Sequence, residues 1–347
     1  MKTWEQLRDQ PSLRDHYATR SHVVKAIRDF FWQKGFLEVE TPQLVNLPSM
    51  EPNLEVFETD LRDNYKHSYR AFLTSSPEFA MKKLLAGGYK NIFQICKSYR
   101  NEEGWSSRHN PEFTILEWYR TDSDYTAIMQ DCEQMFRFIG KALGKTKVLF
   151  HGVEYDLTQK WERISVAEAF QLYSEIDTDT LLSHDLLKKA AEQKGYSLDD
   201  ENTWEEAFNQ IFLNEIEPHL GRTKPTILYD YPVAMASLSR RKKDDPRFAE
   251  RFEFYIAGLE LGNAFSELTD WQEQLARLEA DRAEKEILGR TLYDVDRDFI
   301  DALESGVEDC AGIAVGVDRV AMFFMNADTI QDTLFFPAIE MWKPKEE

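Results

Sequence analysis

The sequence predicts an α+β fold, an antiparallel β-sheet flanked by helices, on three observations. Strand-like runs stand towards both ends of the chain: "NIFQIC" and "FTIL" before residue 121, and "PTILYDYPV", "RFEFYIAGLELGNAF" and "CAGIAVGV" after residue 224. Helical periodicity fills the segments before and between them. No repeat, low-complexity tract or Gly/Ser-rich linker interrupts the 347 residues, so one continuous domain over 1–347 is expected.

Residues 20–34 place Val23, Val24, Ile27, Phe30 and Phe31 on one helical face, and Gly35 suits the C-terminal cap. "FLEVETPQL" reads as a strand closed by Pro42. Residues 122–143 form a second amphipathic helix, with Tyr125, Ile128, Met129, Cys132, Phe136 and Ile139 at helical spacing. From about 165 to 225 short helices are expected, two of them opened by capping boxes, Ser165 with Glu168 and Thr203 with Glu206.

Composition narrows the function. With 42% hydrophobic residues the chain has ample material for a large core. A net charge of −20 disfavours extended contact with a phosphate backbone, which draws its affinity from Lys and Arg. No window matches a membrane span or a signal region, and three well-separated cysteines read as reduced thiols, so a cytoplasmic protein is expected.

The hairpin at 91–121 is unusually charged for a core element. Alternation puts Arg100 and Glu102 on one face of the outgoing strand, and Phe113, Glu117 and Tyr119 on one face of the return strand. The polar loop between them carries Arg108 and His109. Such a set suits a nucleotide: an arginine grips a phosphate, a phenyl ring stacks on the base, and loop cations hold the outer phosphates. Neither a G-x-x-x-x-G-K-[ST] loop nor a helix-opening G-x-G-x-x-G is present, so any ATP lies on a sheet. A solvated hairpin face with satisfied ion pairs is the plainer alternative.

Glu253, Glu260 and Glu267 recur at intervals of seven, but Gly258, Gly262 and Asn263 argue against a helix there. A turn near Ala257–Gly258 would bring Glu253 and Glu260 together across two strands, a pair suited to Mg²⁺ with substrate phosphates. Glu267 follows Phe265 on its face and would meet an organic cation. Glu78, in "TSSPEFAMKKLL", falls in the first turn of a helix, where a carboxylate also favours the dipole.

Taken in order, these segments resemble the catalytic core of class II aminoacyl-tRNA synthetases, specifically the lysyl branch. "GFLEVETPQL" is similar to motif 1, "SYRNEEGWSSRHNPEF" to motif 2 and "GIAVGVDRVAM" to motif 3, over residues 15 to 336 or so. Two features set the chain apart. Motif 1 begins within the first 45 residues, which is expected to leave no room for an anticodon-reading OB-fold. Ala236–Ser237 and Ala314 stand where lysyl-tRNA synthetases carry Ser-Pro and Gly. Both features are shared with the short lysyl-synthetase paralogues of the EpmA (PoxA, GenX) family, the elongation factor P–(R)-β-lysine ligases. The chain is identified as a member of that family. A longer motif 2 loop at "GWSS", and Ala264 in place of a Gly, depart from the pattern.

The resemblance implies ATP and Mg²⁺ as cofactors, a lysine-type amino acid as substrate, elongation factor P as acceptor and a homodimer formed through motif 1. A role on tRNA is disfavoured. Arg100 would contact the α-phosphate, Glu102 the adenine amino group, and Phe113 the base, with Asn101, Asn110 and Leu261 also in the ATP site. His109 and Arg319 would hold the outer phosphates, Gly316 would allow close approach, and Glu253 and Glu260 would bind Mg²⁺. Arg100, Arg319 and Glu260 would carry the catalysis. Ser76, Pro77 and Glu78 would meet the α- or β-amino end, and Tyr119 and Glu267 the ε-ammonium, with Ala314 governing the choice of isomer. Three rivals stand beside this reading: a free-standing asparagine-synthetase-type ligase, an acceptor-stem lysylating enzyme, and a non-catalytic regulatory paralogue.

Overall fold

A computed structural model describes residues 3–104, 106–198 and 203–342. Its centre is an eight-stranded sheet. The strands are β1 (Leu37–Glu38), β2 (Asn91–Tyr99), β3 (Glu112–Thr121), β4 (Glu162–Ser165), β5 (Thr226–Pro232), β6 (Phe248–Ile256), β7 (Leu259–Ser266) and β8 (Cys310–Gly316). In space they run β1-β2-β3-β8-β7-β6-β5-β4. The inner pairs are antiparallel, while β1 with β2 and β4 with β5 are parallel, so the sheet is mixed at its edges. The run "FLEVETPQL" gives only the two residues of β1. Beyond Pro42, which cannot donate to a ladder, Leu44–Val45 joins a separate three-stranded sheet.

The described α-helices of eight or more residues are α1 (Ser12–Gln33), α2 (Glu78–Ala86), α3 (Tyr125–Ala142), α4 (Val166–Ser174), α5 (His184–Gln193), α6 (Trp204–Ile211), α7 (Trp271–Ile287), α8 (Arg297–Glu304) and α9 (Val317–Met325). α1 starts at Ser12 rather than near residue 20, because its first turns bury Tyr17, stacked on Phe335 with ring centroids 4.7 Å apart. α3 is capped by the Asp124 carboxylate, which accepts from the backbone N–H of Thr126 and Ala127. Both capping boxes read from the sequence form, at Ser165 and Thr203.

Alternation along the inner strands divides the sheet into two unlike faces. Leu116, Trp118, Phe252, Phe254, Ala264, Ile313 and Val315 turn to the side covered by α1, α3 and α9, and belong to the largest apolar cluster of the fold. Charges on this side are confined to compensated positions. The carboxylate of Asp131 on α3, 1% exposed, meets Lys34 at 2.9 Å and Arg120 at 2.8 Å. Ala264 faces this core and is 0% exposed, so its methyl group fills helix-side volume. α4, α5 and α6 build a second apolar cluster with Leu228, Tyr231 and Tyr255 of β5 and β6.

The opposite face carries the polar residues. The ladder aligns Glu117 with Ala314, Ala314 with Asn263, and Asn263 with Glu253, which sets one row across four strands. A second row joins Tyr119, Gly312 and Phe265. A register shift between Phe254 and Tyr255 places Glu260 opposite Tyr255 and Gly262 opposite Phe254, an extra residue in β7. Without that bulge, residues 260 and 267 would point to opposite faces, since their separation is odd.

Phe136 on α3 is 0% exposed and packs on Trp161, Phe254 and Phe324. Phe136→Ala is expected to cost about 3–5 kcal/mol, read as a lowered urea midpoint at unchanged m-value.

Candidate active site

The polar face of the sheet floors a cavity of about 390 Å³. α2 contributes Glu78 to one end, beside Ser76, Tyr119, Glu267 and Gly312. The other end holds Arg100, Arg108, His109, Phe113 and Arg319. Tyr119 and Phe113 are six residues apart on β3, so the two ends lie about 20 Å apart. Glu260, Leu261, Gly316 and Ala314 line the cavity as well.

The acidic end is nearly dry. Glu117 is 0% exposed; Ser76 Oγ donates to its Oε1 at 2.5 Å and Tyr119 Oη to its Oε2 at 2.9 Å. Burial, reinforced by the charge of Glu78, pushes its carboxyl up to about 8. Burial and Glu78 likewise push Glu267 up to about 7, against the pull of Lys82. The Lys82 ammonium sits 2.6 Å from Glu78 and touches Glu267. Burial pulls it down, but the two carboxylates outweigh burial and hold it above its ordinary value. Gly312 is required here: a Cβ would lie 2.3 Å from the Tyr119 ring and 3.0 Å from Glu267 Oε1.

The cationic end is organised by α9 and the 100–110 loop. Arg319, in the first turn of α9, donates from Nη1 to the Glu260 carbonyl at 2.8 Å and from Nη2 to His109 Nε2 at 3.0 Å. An arginine can only donate, so His109 is neutral with its proton on Nδ1, which meets Ser106 Oγ at 2.9 Å. Burial, with Arg319, Arg100 and Arg108 against the opposing pull of Glu103, holds that imidazole below its ordinary range. The Arg100 guanidinium lies 5.2 Å above the Phe113 ring, and its buried Nε has no hydrogen-bond partner. Its Nη1 donates to Glu103 at 3.2 Å, and together with Arg108 and Arg319 it makes a cationic cluster that fits a polyanion such as a triphosphate.

The hairpin β6–β7 turns at Ala257–Gly258, both at positive φ, and brings Glu253 and Glu260 to the same face, as the sequence expects. They are not equivalent. Glu260 lines the cavity, and burial with the repulsion of Glu253 raises it to about 7. Glu253 lies outside the cavity wall, held by Arg251 at 2.7 Å and by the Tyr255 hydroxyl at 2.5 Å. Among the described residues no group of three or more His, Cys, Asp or Glu side chains forms a metal cage. Two carboxylates still suit Mg²⁺, whose other ligands are waters and phosphates. Glu260 would be the direct ligand.

The expectation for Asn101 and Glu102 needs correction. β2 ends at Tyr99, so strand alternation does not reach Glu102, which takes φ +56° and turns outward to Arg290 at 2.8 Å. Asn101 pairs with Glu55, and both Asn101 and Glu102 line a neighbouring groove of about 780 Å³. Asn110 lines the cavity as expected, with its amide held at both ends: Nδ2 donates to the Glu112 carbonyl at 2.6 Å and Oδ1 accepts from Ala338 N–H at 3.0 Å. Gly316 is uncrowded by the protein, since a Cβ there would meet only the Arg319 side chain at 3.8 Å. Pro77 serves as the N-cap of α2, and the "GWSS" loop includes Trp105, which lies outside the described residues. Sequence reasoning placed Glu117 on the polar face without a role. It missed Lys82 altogether, which reads as a surface residue of an ordinary helix.

The whole of residues 2–340 matches the family model for tRNA synthetases class II (D, K and N), and the chain belongs to that family. Within it, the chain is 36% identical over 345 residues to a lysine–tRNA ligase of Pelotomaculum thermopropionicum, covering 97% of this chain and 65% of that one. It is 37% identical over 319 residues to an elongation factor P–(R)-β-lysine ligase of Mannheimia succiniciproducens, covering 92% and 93%. A ligase of the same name from Salmonella paratyphi B is 36% identical, with 96% and 97% covered. The chain thus spans about two thirds of the length of the lysine–tRNA ligases it matches. No described helix is long and apolar enough to cross a membrane.

A buried carboxyl raised to about 8 is protonated in the folded protein while the unfolded chain has already released its proton, so stability falls as pH rises from the ordinary carboxylate range to about 8. Glu117→Gln removes that loss. In urea unfolding the variant is expected to gain on the wild type at pH 9 and to show no gain at pH 4. A gain of equal size at both would contradict the assignment.

Proposed function

We propose that the protein is an ATP-dependent amino-acid ligase that activates a lysine-type amino acid, (R)-β-lysine, as its adenylate and transfers it to a lysine side chain of elongation factor P. The observation that carries this reading is the polarity of one cavity. Glu78 and Glu267, with the buried Glu117 joined to that end through Ser76 and Tyr119, make an end suited to a diamine, and Arg100, Arg108 and Arg319 make an end suited to a triphosphate. Family membership and the names of the relatives point the same way.

In this reading the amino groups enter the acidic end and the carboxylate points along the sheet towards Arg100. A carboxylate oxygen attacks the α-phosphorus, and pyrophosphate leaves towards Arg319, Arg108 and His109. Neutral His109 donates its Nδ1 proton to Ser106 and is held by Arg319, so it orders that arginine rather than adding charge. Mg²⁺ on Glu260 would offset phosphate charge. Arg100, already oriented over Phe113, stabilises charge on the α-phosphate as it develops; donors of this type are worth about 3–4 kcal/mol. An acceptor amine then attacks the acyl carbon, AMP leaves, and an amide forms. No covalent enzyme intermediate is required.

Glu78 and Glu267 disfavour a dicarboxylate substrate of the asparagine-synthetase type. The presence of Arg100, Arg319, Glu253 and Glu260 disfavours a non-catalytic paralogue. A second reading, lysylation of tRNA, is favoured by the similarity to lysine–tRNA ligases.

Amino-acid-dependent ATP–pyrophosphate exchange with α-lysine, (R)-β-lysine, (S)-β-lysine and aspartate tests the first step. Fastest exchange is expected with (R)-β-lysine, followed by transfer to elongation factor P seen as a mass increase on one lysine. Preference for α-lysine with transfer to tRNA would replace this reading by the second. Absence of exchange in a protein that still binds ATP would end both.

Ala314 lies beside Glu117 on the cavity floor. One methyl group in a tight pocket costs about 1–3 kcal/mol. Ala314→Gly is therefore expected to raise kcat/KM for α-lysine about tenfold or more relative to (R)-β-lysine. An unchanged ratio of the two would remove Ala314 from isomer selection.

A further inference from the structure

Lys82 stands one helical turn beyond Glu78 on α2 and is 3% exposed. It does not line the cavity; Glu78 and Glu267 separate it from the open space. Glu267 is also 3% exposed; neither of its oxygens has a hydrogen-bond partner, and Oε2 meets the Lys82 ammonium as an ion pair. One oxygen is thus compensated by the ammonium, and the other, Oε1, stands beside Gly312 without a counter-charge.

We propose that Lys82 is an internal counter-ion that lets the acidic end of the cavity hold two negative charges against a bound ligand, and so selects ligands bearing two ammonium groups. The proposal rests on the diamine reading of that end. When a bound diammonium draws Glu117 and Glu267 into their ionised forms, the three carboxylates Glu78, Glu117 and Glu267 less one ammonium leave two charges, the number a lysine-type substrate brings with its two amines. Without Lys82, carboxylates this close and this dry would share protons rather than all ionise, and the end would suit a single amine. Lys82 acts through Glu78 and Glu267 and is a positioning residue, not a catalytic one.

Among the described residues no other cation competes for the role. Lys83, the next residue, turns to Asp296 and Asp298 at 2.8 and 2.7 Å. Arg240 is held by Glu250 at 2.9 Å and Asp309 at 3.1 Å. The remaining titratable groups facing this set are Glu51, which feels the charge of Glu78, Tyr119 from β3, and Cys96 and Cys310 from β2 and β8; burial raises all four, and the tyrosine and both thiols are neutral.

The test is the pH dependence of KM for the lysine isomer that drives exchange in the wild type. The carboxylates bind a diammonium only when ionised, and Lys82 lowers the pH at which Glu117 and Glu267 ionise. Lys82→Met is expected to move the pH midpoint of amino-acid KM upward by about one unit or more, with KM approaching wild type at high pH and KM for ATP unchanged. A purely structural lysine would instead raise KM evenly at every pH, and that result, or an unmoved midpoint, overturns the proposal.

Should Lys82→Met not fold, the paired variant Lys82→Met/Glu267→Gln is compared with Glu267→Gln alone. The single variant leaves one net charge for a diamine and the pair restores two, so the pair is expected to show the lower amino-acid KM. An equal or higher KM in the pair overturns the proposal. Wild-type protein that exchanges with no lysine isomer overturns the diamine reading itself, and this proposal with it.

Discussion

A carboxylate out of reach of water, at the middle of a sheet, is the constraint on which the rest of this molecule depends. Glu117 occupies a strand with neighbours on both sides, where desolvation strongly disfavours charge. Two hydroxyls, from Ser76 and Tyr119, make its burial tolerable by donating to both oxygens. They in turn fix the start of α2 and the ring that lies against Gly312. The helix then brings Glu78 and Lys82 to the same few ångströms. Placing Glu117 there means that the surrounding residues are arranged around charge, and the apolar helices on the other face supply the stability that this arrangement lacks.

Much of this was legible in the sequence where local rules apply. Apolar spacing located α1 and α3, capping boxes located the starts of α4 and α6, and Ala257–Gly258 marked the hairpin turn. The polar face was legible in part, because alternation places Phe113, Glu117 and Tyr119 together. Alternation failed at Glu102, where the strand has ended and the residue adopts positive φ; nothing in "SYRNEE" announces that end. The parallel edge strands were not legible either, since pairing partners distant in sequence leave no local trace.

The site was harder than the fold for a related reason. Charged residues are read from sequence one at a time, whereas their behaviour depends on partners brought in from other elements. Lys82 looks like one of two solvated lysines in "MKKLL". Only the tertiary structure shows that its neighbour Lys83 meets the α8 carboxylates while Lys82 turns inward to Glu78 and Glu267. The same holds for Asn110, a polar loop residue whose amide turns out to tie the loop to the segment at Ala338.

The extra residue in β7 has a consequence for how such a chain can change over time. Glu260 shares the cavity side with Asn263, Phe265 and Glu267 only because one residue between them, Leu261, is unpaired. Loss of the single codon for Leu261 would close the ladder in regular fashion and leave Asn263, Phe265 and Glu267 facing the cavity, because Glu260 and Glu267 would then stand an even number of residues apart. Ala264 would stay opposite Phe252 on the helix side. The bulge is thus a reserve of length: the strand can shed this one residue without exchanging its two faces.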